Sequence, residues 1–438
     1  MLQKVLIANR GEIALRILQT CHEMGKQCVA AYTKVDADLK HIEFADEKIC
    51  ISYQDYLNSD SLISAAKLTG CDAIHPGYGL LSENAEFAKK VEDSGLVFVG
   101  PKHTHINVLG DKASARELMT GYGLPPLPGS VGSLGGLSEA RSLAKTIGYP
   151  ILFKAAFGGG GRGIRLLDNE DKFDDNYFEA TSEAETNFGR GELYLEKYLS
   201  RARHIEIQIL GDGKGSVIHF GSRDCSVQRR HQKIIEEAPA SNIDRSQLED
   251  LAQNVVSAMS DLQYLSAATL EFLYQDGIFY FLEINTRIQV EHPTTEMIYG
   301  VDLLKAQVSI ADTQELPYVQ KDLNQTGCAI ECRVNAEDAN FMPSPGLVTR
   351  FDPPGGNGVR VDSHLYAGYR VPHYYDSLLA KLVVHGVDRE EALVKMQRAL
   401  VEFKIEGIDT GLDKLLEICT STDFVSGNYN TQILSGAT

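Results

Sequence analysis

Lys4-Val-Leu-Ile-Ala-Asn-Arg-Gly-Glu-Ile-Ala-Leu-Arg-Ile-Leu-Gln-Thr-Cys-His-Glu-Met24 sets the architecture of the first third of the chain. Residues 4–8 form a short apolar run that reads as a buried strand. Residues 11–24 read as a helix, because Ile13, Ile17, Cys21 and Met24 recur on one face. The same alternation continues outward. Strands are predicted over 28–32, 72–75 and 97–99, and helices over 61–68 and 84–92. Strands alternating with helices imply a parallel, doubly wound sheet, a Rossmann-like arrangement. The turn after the first strand, Asn9-Arg10-Gly11-Glu12, carries one glycine where a dinucleotide fingerprint needs three, so it does not point to NAD.

The 438-residue length exceeds one ordinary core and predicts two or three domains around a shared cleft. A content of 43% hydrophobic and 23% charged residues describes a soluble globular protein. Net charge of −18, from 42 basic and 60 acidic residues, argues against non-specific binding to nucleic acid or an anionic membrane. A local basic pocket for an anion is still compatible with it. No secretory leader pattern opens the sequence, and no apolar run approaches the roughly 20 residues a spanning helix requires. A cytoplasmic location is expected, with the eight cysteines buried and reduced; Cys225, in Arg-Asp-Cys-Ser, is the one considered as a reactive thiol.

Residues 124–136 are crowded with Pro and Gly and mark a loop or hinge. A helix over 138–147 and a strand over 150–156 lead into Gly158-Gly159-Gly160-Gly161-Arg162-Gly163, and a strand-like run follows over 164–167. Gly158, Gly160 and Gly163 satisfy G-x-G-x-x-G, but a strand rather than a helix comes next, and no Lys-Ser/Thr follows as in a Walker loop. A glycine-rich hairpin whose bare backbone N–H groups cradle phosphates fits this context. Lys154 before it and Lys112 are candidate phosphate cations. From residue 324 the texture changes to strands separated by Gly and Pro, predicting a further, β-rich domain.

Thr269-Leu-Glu271-Phe-Leu and Phe279-Tyr-Phe-Leu-Glu283-Ile-Asn285 read as a hairpin closed by Gln275-Asp276-Gly277. Glu283 and Asn285 share a face because strand side chains alternate. The turn decides where Glu271 points. A two-residue Asp-Gly loop puts it opposite Glu283; a three-residue loop brings both carboxylates to one face. If the two bind a metal together, the three-residue turn is expected. Hard oxygen donors of this kind suit Mg²⁺ or Mn²⁺ with nucleotide phosphates. Arg287, Gln289 and Glu291 form the next alternating set, suited to a small planar oxyanion and a base that deprotonates it. The run from Gln228 to Lys233 adds concentrated positive charge.

Five stretches together carry a resemblance: Ile7-Ala-Asn-Arg-Gly-Glu-Ile-Ala, His75-Pro-Gly-Tyr-Gly, Arg223-Asp-Cys-Ser-Val-Gln-Arg-Arg-His-Gln-Lys233, Glu283 to His292, and Glu331-Cys-Arg-Val-Asn-Ala-Glu-Asp338. In this order, over nearly the whole chain, they closely resemble the biotin carboxylase family. The resemblance implies a mixed α/β and α+β protein. Its parts would be a Rossmann-like N-terminal domain (1–110), an ATP-grasp domain (111–323) with a glycine-rich lid at about 131–203, and a C-terminal β-rich domain (324–438). It implies ATP-driven formation of carboxyphosphate from bicarbonate, with CO₂ then passed to N1′ of biotin. Lys112, Lys154, Gly158, Gly159, Gly160, Gly161, His204, Gln228 and His231 would contact ATP, with Glu196, Lys197 and Leu199 around adenine. Glu271, Glu283 and Asn285 would hold two Mg²⁺ or Mn²⁺ ions beside the nucleotide. Lys233, Arg287, Gln289 and Val290 would bind bicarbonate, and Glu291 would be the base. Tyr78 and Arg333 would meet biotin, Arg333 stabilising its enolate-like anion.

The chain departs from the family pattern at three places. Ala156-Phe157 stands where Ser-Gly usually precedes the four glycines, with a consequence expected for ATP affinity. Gln19 and Asn357 replace an Arg and a Phe of the usual homodimer contact, which is therefore altered. The sequence ends soon after the carboxylase region, and Val394-Lys395-Met396-Gln397 is not a biotinylation site. A separate biotin carboxyl carrier protein and a separate carboxyltransferase are expected as partners, as in multisubunit acetyl-CoA carboxylase. Two rivals differ in class. Another ATP-grasp ligase would show amine-stimulated ATP cleavage. A silent binding subunit would need losses among Lys233, Glu271, Glu283, Arg287, Glu291 and Arg333, and all six are present.

Overall fold

Alternating apolar strands and amphipathic helices in the first hundred residues produce a wholly parallel sheet. In the computed structural model, which describes residues 1–130, 132–155, 164–230 and 232–434, its strands are Lys4–Ile7, Gln27–Thr33, Glu47–Ser52, Ala73–His75 and Val97–Phe98. They lie in the order third, second, first, fourth, fifth, with Lys4–Ile7 at the centre. Val5, Leu6 and Ile7 are fully buried there. The helix Gly11–Glu23 buries Ile13, Ile17 and Cys21, while the helices Ser59–Leu68 and Ala85–Asp93 are capped by Asn58 and Asn84 side chains accepting from Ser61 and Phe87 N–H groups. Strand Glu47–Ser52 is not predicted from the sequence. It is an edge strand whose alternation of polar residues with Ile49 and Ile51 is too short and too exposed to stand out.

A second sheet organises the rest. Its eight strands, all antiparallel to their neighbours, run in the order Ile278–Asn285, Leu265–Gln275, Arg203–Asp212, Val217–Arg229, Gln232–Ala238, Cys328–Asn335, Leu378–Gly386, Val359–Ser363. The ladder between Gln232–Ala238 and Cys328–Asn335, with Ile235 opposite Cys332 and Glu236 opposite Glu331, joins strands from either side of residue 324. Helix Arg245–Asp261 packs Leu251, Val255 and Met259 on one end of this sheet, and helix Arg389–Glu402 packs Leu393, Met396 and Leu400 on the other. The segment Val394 to Gln397 is therefore part of a packed helix.

A three-stranded sheet stands apart with its own small core. Ile151–Ala155 lies between Ile164–Leu167 and Leu193–Lys197 and is covered by the helices Leu137–Ile147 and Phe173–Phe188. Phe153 and Phe173 meet edge to face at 5.3 Å between ring centres. The four-glycine run and Phe157, between the first two of these strands, lie outside the described residues, as does His231.

One loop of the parallel sheet reaches toward the second sheet. After strand Ala73–His75, Gly77 adopts φ +64°, and a Cβ there would stand 2.8 Å from Asn9 Nδ2. Asn9 needs that room, because its Nδ2 donates to the carbonyls of Pro76 (2.6 Å) and Tyr78 (2.8 Å) and so shapes the loop carrying Tyr78. Gly77→Ala should therefore cost about 1–3 kcal/mol. A lowered denaturant midpoint would show it; an unchanged midpoint would mean that the loop absorbs the extra carbon.

Candidate functional site

Cross-strand register lines up three glutamates. Glu283 is directly opposite Glu271, Glu271 is directly opposite Glu206, and Glu206 is directly opposite Arg223. The hairpin achieves this by a route the sequence reading did not contain. Its turn is the two-residue kind, with Asp276 and Gly277 both at positive φ (+52° and +84°) and Gln275 paired with Ile278. That register alone would put Glu271 and Glu283 on opposite faces. A bulge then shifts the pairing by one residue between Phe272–Phe281 and Glu271–Glu283, leaving Leu282 unmatched and turning both carboxylates to one face. The expected three-residue turn is thus replaced by a tight turn plus a bulge.

Adjacent like charges are unfavourable, by roughly 4 kcal/mol at 4 Å and an effective dielectric of 20. Buried cations answer them. Lys233 Nζ lies 2.8 Å from Glu271 Oε1 and 2.8 Å from Glu291 Oε1, and it also bonds Glu206. Burial opposes its charge, but Glu206, Glu271 and Glu291 outweigh burial and hold the ammonium well above its ordinary range. His204 Nε2 is 2.9 Å from Glu271 Oε2. Burial pushes this imidazole down, yet Glu271 and Glu206 raise it to about 9. Glu271 and Glu206 are in turn held far below the ordinary carboxylate range.

Glu291 is completely buried and bridges two cations. Its Oε1 takes Lys233, and its Oε2 takes Arg333 Nη2 at 3.0 Å. Burial works against ionisation, but Lys233 and Arg333 keep its pKa lowered. Arg333 is braced by Glu236 at 2.6 Å, and burial raises the Glu236 carboxyl to about 7 despite that guanidinium. Gln289 Nε2 and Asn285 Nδ2 both donate to Glu271 Oε1, at 3.0 and 2.7 Å. Arg287 spreads over Gln289 Oε1 and Asn285 Oδ1 (both 2.8 Å) and Glu83 Oε2 (2.8 Å). Val290 offers its carbonyl to Lys381.

Glu283 has the weakest counter-charge, Lys112 at 3.8 Å, and its carboxyl is raised by burial and by Glu271. Two facing carboxylates with a carboxamide beside them make a hard oxygen set, and this excess negative charge fits a divalent cation at Glu271, Glu283 and Asn285. His204 with Glu206 and Glu271, and Cys225 with Glu206 and Glu291, are also close enough to share an ion. Lys233 already supplies positive charge to both groups.

Other expected site residues sit further out. Gln228 Nε2 meets His204 Nδ1 at 2.9 Å and so belongs to the cluster. Lys154 and Arg116 both pair with Glu196 on the three-stranded sheet. Lys197 turns its ammonium to the carbonyls of Gly148 (3.0 Å) and Tyr149 (2.8 Å), and Leu199 packs with Leu127 and Leu273, the last directly opposite His204. Tyr78 hydrogen-bonds Glu12. Cys225 is buried with its thiol pushed well above the ordinary range by burial and Glu206, which opposes a thiolate. Cys50 is exposed, contrary to the expectation for all eight cysteines, because it lies on the edge strand Glu47–Ser52.

Sequence reasoning assigned no role to Glu206, Arg223, Glu236, Glu83, Glu12 or Lys381. Arg223 is wholly buried and donates to Glu206 (2.9 Å), Gln208 (2.8 Å), Thr295 and Thr269 (both 3.0 Å). One signal was available for Glu206: His204-Ile-Glu206-Ile-Gln208 alternates polar and apolar residues. Burial of that polar face could not be read from the alternation.

Comparison with known proteins agrees with this architecture. Residues 1–106 match the biotin carboxylase N-terminal domain, 111–319 the ATP binding domain of the carbamoyl-phosphate synthase L chain, and 331–436 the biotin carboxylase C-terminal domain. A biotin carboxylase of Pseudomonas aeruginosa is 49% identical over 99% of this chain and 98% of its own. The crystal structure of a biotin carboxylase–β,γ-ATP complex from Campylobacter jejuni superimposes with TM-score 0.94 at 45% identity, covering 100% of this chain and 99% of that one. The biotin carboxylase domain dimer of Hydrogenobacter thermophilus 2-oxoglutarate carboxylase, solved with MgADP, ADP and bicarbonate, gives TM-score 0.93 at 46% identity, covering 100% and 98%. Three consecutive domain matches and near-complete coverage of these relatives lead to one conclusion: the chain belongs to the biotin carboxylase family.

Proposed function

We propose that this chain uses ATP and bicarbonate to carboxylate biotin attached to a separate carrier protein. ATP would phosphorylate bicarbonate to carboxyphosphate and ADP, carboxyphosphate would break down to phosphate and CO₂, and N1′ of biotin would give its proton to that phosphate and take up the CO₂. The observation that carries this reading is the buried Glu291 carboxylate held between Lys233 and Arg333. Such a bridge joins a cation suited to the bicarbonate side with one suited to a developing biotin anion.

Lys233, Arg287, Gln289 and the Val290 N–H would hold bicarbonate. An anion that draws Lys233 toward itself relieves Glu291 of one of its two cations and raises its proton affinity. Glu291 could then take the bicarbonate proton as the carbonate oxygen attacks the γ-phosphate. Arg333, fixed by Glu236, would stabilise the enolate-like oxygen of biotin, with Tyr78 beside it. Lys112, Lys154, His204, Gln228 and the residues of the glycine loop would hold the nucleotide, with Glu196, Lys197 and Leu199 near adenine. Glu271, Glu283 and Asn285 would hold Mg²⁺ or Mn²⁺, which supplies charge neutralisation for the transferred phosphoryl group.

At the level of the pathway, the reading is the first half-reaction of acetyl-CoA carboxylase, an early step of fatty acid synthesis in the cytoplasm, with a separate carboxyltransferase. A biotin carboxylase subunit for another acyl-CoA or keto acid carboxylase is the second reading, favoured by the likeness to the 2-oxoglutarate carboxylase domain. Identifying the carrier protein that co-purifies separates the two. The subunit arrangement is proposed as a homodimer whose contact differs at Gln19 and Asn357, both exposed.

Phosphate release from ATP should depend on bicarbonate and rise with free biotin; stimulation by an amine instead would point to a different ATP-grasp ligase. Glu291→Gln and Arg333→Ser should each lose most biotin carboxylation with ATP binding nearly intact, and wild-type turnover in either would remove these roles. His204→Gln, which keeps a side-chain donor but no charge beside Glu271, should raise KM for ATP about tenfold, or roughly 1.4 kcal/mol, and an unchanged KM would remove His204 from the nucleotide site.

A further inference from the structure

Successive carbonyls in the loop that ends the acidic hairpin are each taken by a different side chain. Gln289 O accepts from the His292 ring at Nδ1 (2.8 Å), Val290 O from Lys381 Nζ (3.0 Å), and Glu291 O from the Thr294 hydroxyl (2.8 Å). The peptide bonds here are trans, the cis bonds of the described residues being Tyr149–Pro150 and Ala238–Pro239. In a planar trans peptide the carbonyl and the next residue's N–H point in opposite directions. A donor fixed on the Gln289 carbonyl therefore aims the Val290 N–H, and one fixed on the Val290 carbonyl aims the Glu291 N–H.

Both donors are built into the core. His292 and Lys381 have no solvent exposure. A carbonyl can only accept, so His292 carries its proton on Nδ1. Burial, with Lys381, Arg360 and Arg16 nearby, holds this imidazole well below its ordinary range and keeps it neutral. Lys381 also lies 3.0 Å from Glu12 Oε1, and Glu12 accepts from the Tyr78 hydroxyl. One ammonium thus ties the backbone beside Glu291 to the side chain that shapes the position of Tyr78. A buried ion pair is a poor source of net stability compared with well-packed apolar residues of the same volume. Its placement is better explained by orientation.

We propose that His292 and Lys381 are positioning residues that aim the backbone N–H groups of Val290 and Glu291 at the bicarbonate oxygens, with Lys381 also fixing Tyr78 through Glu12. The proposal rests on the reading of residues 287–291 as the bicarbonate site.

The test uses the full chain in bicarbonate-dependent ATP cleavage. His292→Leu removes the ring donor, whereas His292→Asn puts an amide N–H where Nδ1 stood. His292→Leu should raise KM for bicarbonate about 10- to 100-fold with KM for ATP unchanged, and His292→Asn should restore most of the loss. A wild-type bicarbonate KM in His292→Leu overturns the proposal, as does equal damage in both variants, which would indicate packing alone. The double variant Glu12→Gln/Lys381→Met leaves neither charge of the pair behind, so it supports the same reading should His292→Leu not fold. It should raise KM for both bicarbonate and biotin, and unchanged values overturn the role of Lys381. Arg287→Ala and Gln289→Ala are the controls. If they too leave the bicarbonate KM unchanged, the bicarbonate site itself has been misplaced; if they alone respond, only the positioning role fails.

Discussion

Everything at the centre of this molecule depends on one ammonium group. Lys233 touches Glu206, Glu271 and Glu291, three buried carboxylates contributed by three different segments. Each of those carboxylates has a second cation or donor behind it: Arg223 for Glu206, His204 for Glu271, Arg333 for Glu291. The arrangement alternates charge in three dimensions, so removal of any one member leaves a buried ion without its partner, a far larger cost than that of the intact network. This explains why the polar residues occupy the middle of a sheet whose flanks are packed with Val, Leu and Ile. Rigidity here is electrostatic as well as steric.

The first parallel sheet was legible because its signal is periodic and local. Residues 4–8 and 11–24 state a strand and a helix within twenty-one positions, and the structure differs at the ends by a residue. Only the edge strand Glu47–Ser52 escaped, since one exposed face erases the apolar run that marked the others. The hairpin shows the limit of such reading. Asp276-Gly277 leaves a two-residue and a three-residue turn both open, and the bulge at Leu282 that actually orients Glu271 leaves no mark in composition. Register shifts are set by what the neighbouring strand demands, here Glu206 and Gln208 across from Glu271 and Thr269.

The site residues divide along the same line. Those in long, distinctive stretches, such as Arg287, Gln289, Glu291 and Arg333, could be singled out from the sequence. Their supports could not. Glu236, Glu12 and Lys381 are ordinary charged residues in the sequence, and only tertiary packing reveals that they are buried and what they hold. Glu83 is similar: it comes from the parallel sheet's loop and reaches Arg287 across more than two hundred residues of chain.

The continuous eight-stranded sheet has a consequence for how this chain can be divided. Strand Gln232–Ala238 carries Lys233, and its hydrogen-bonded neighbour Cys328–Asn335 carries Arg333. Neighbouring strands keep a spacing of about 4.8 Å, so the two cations are spaced by backbone hydrogen bonds and not by a domain interface. The segments on either side of residue 324 are stitched through one fabric. A cut at residue 324 would strip a row of N–H and C=O groups bare along Gln232–Ala238 and leave half of the buried charge cluster on an adhesive edge. Separating the two halves would require new hydrogen-bond partners for both bared strands.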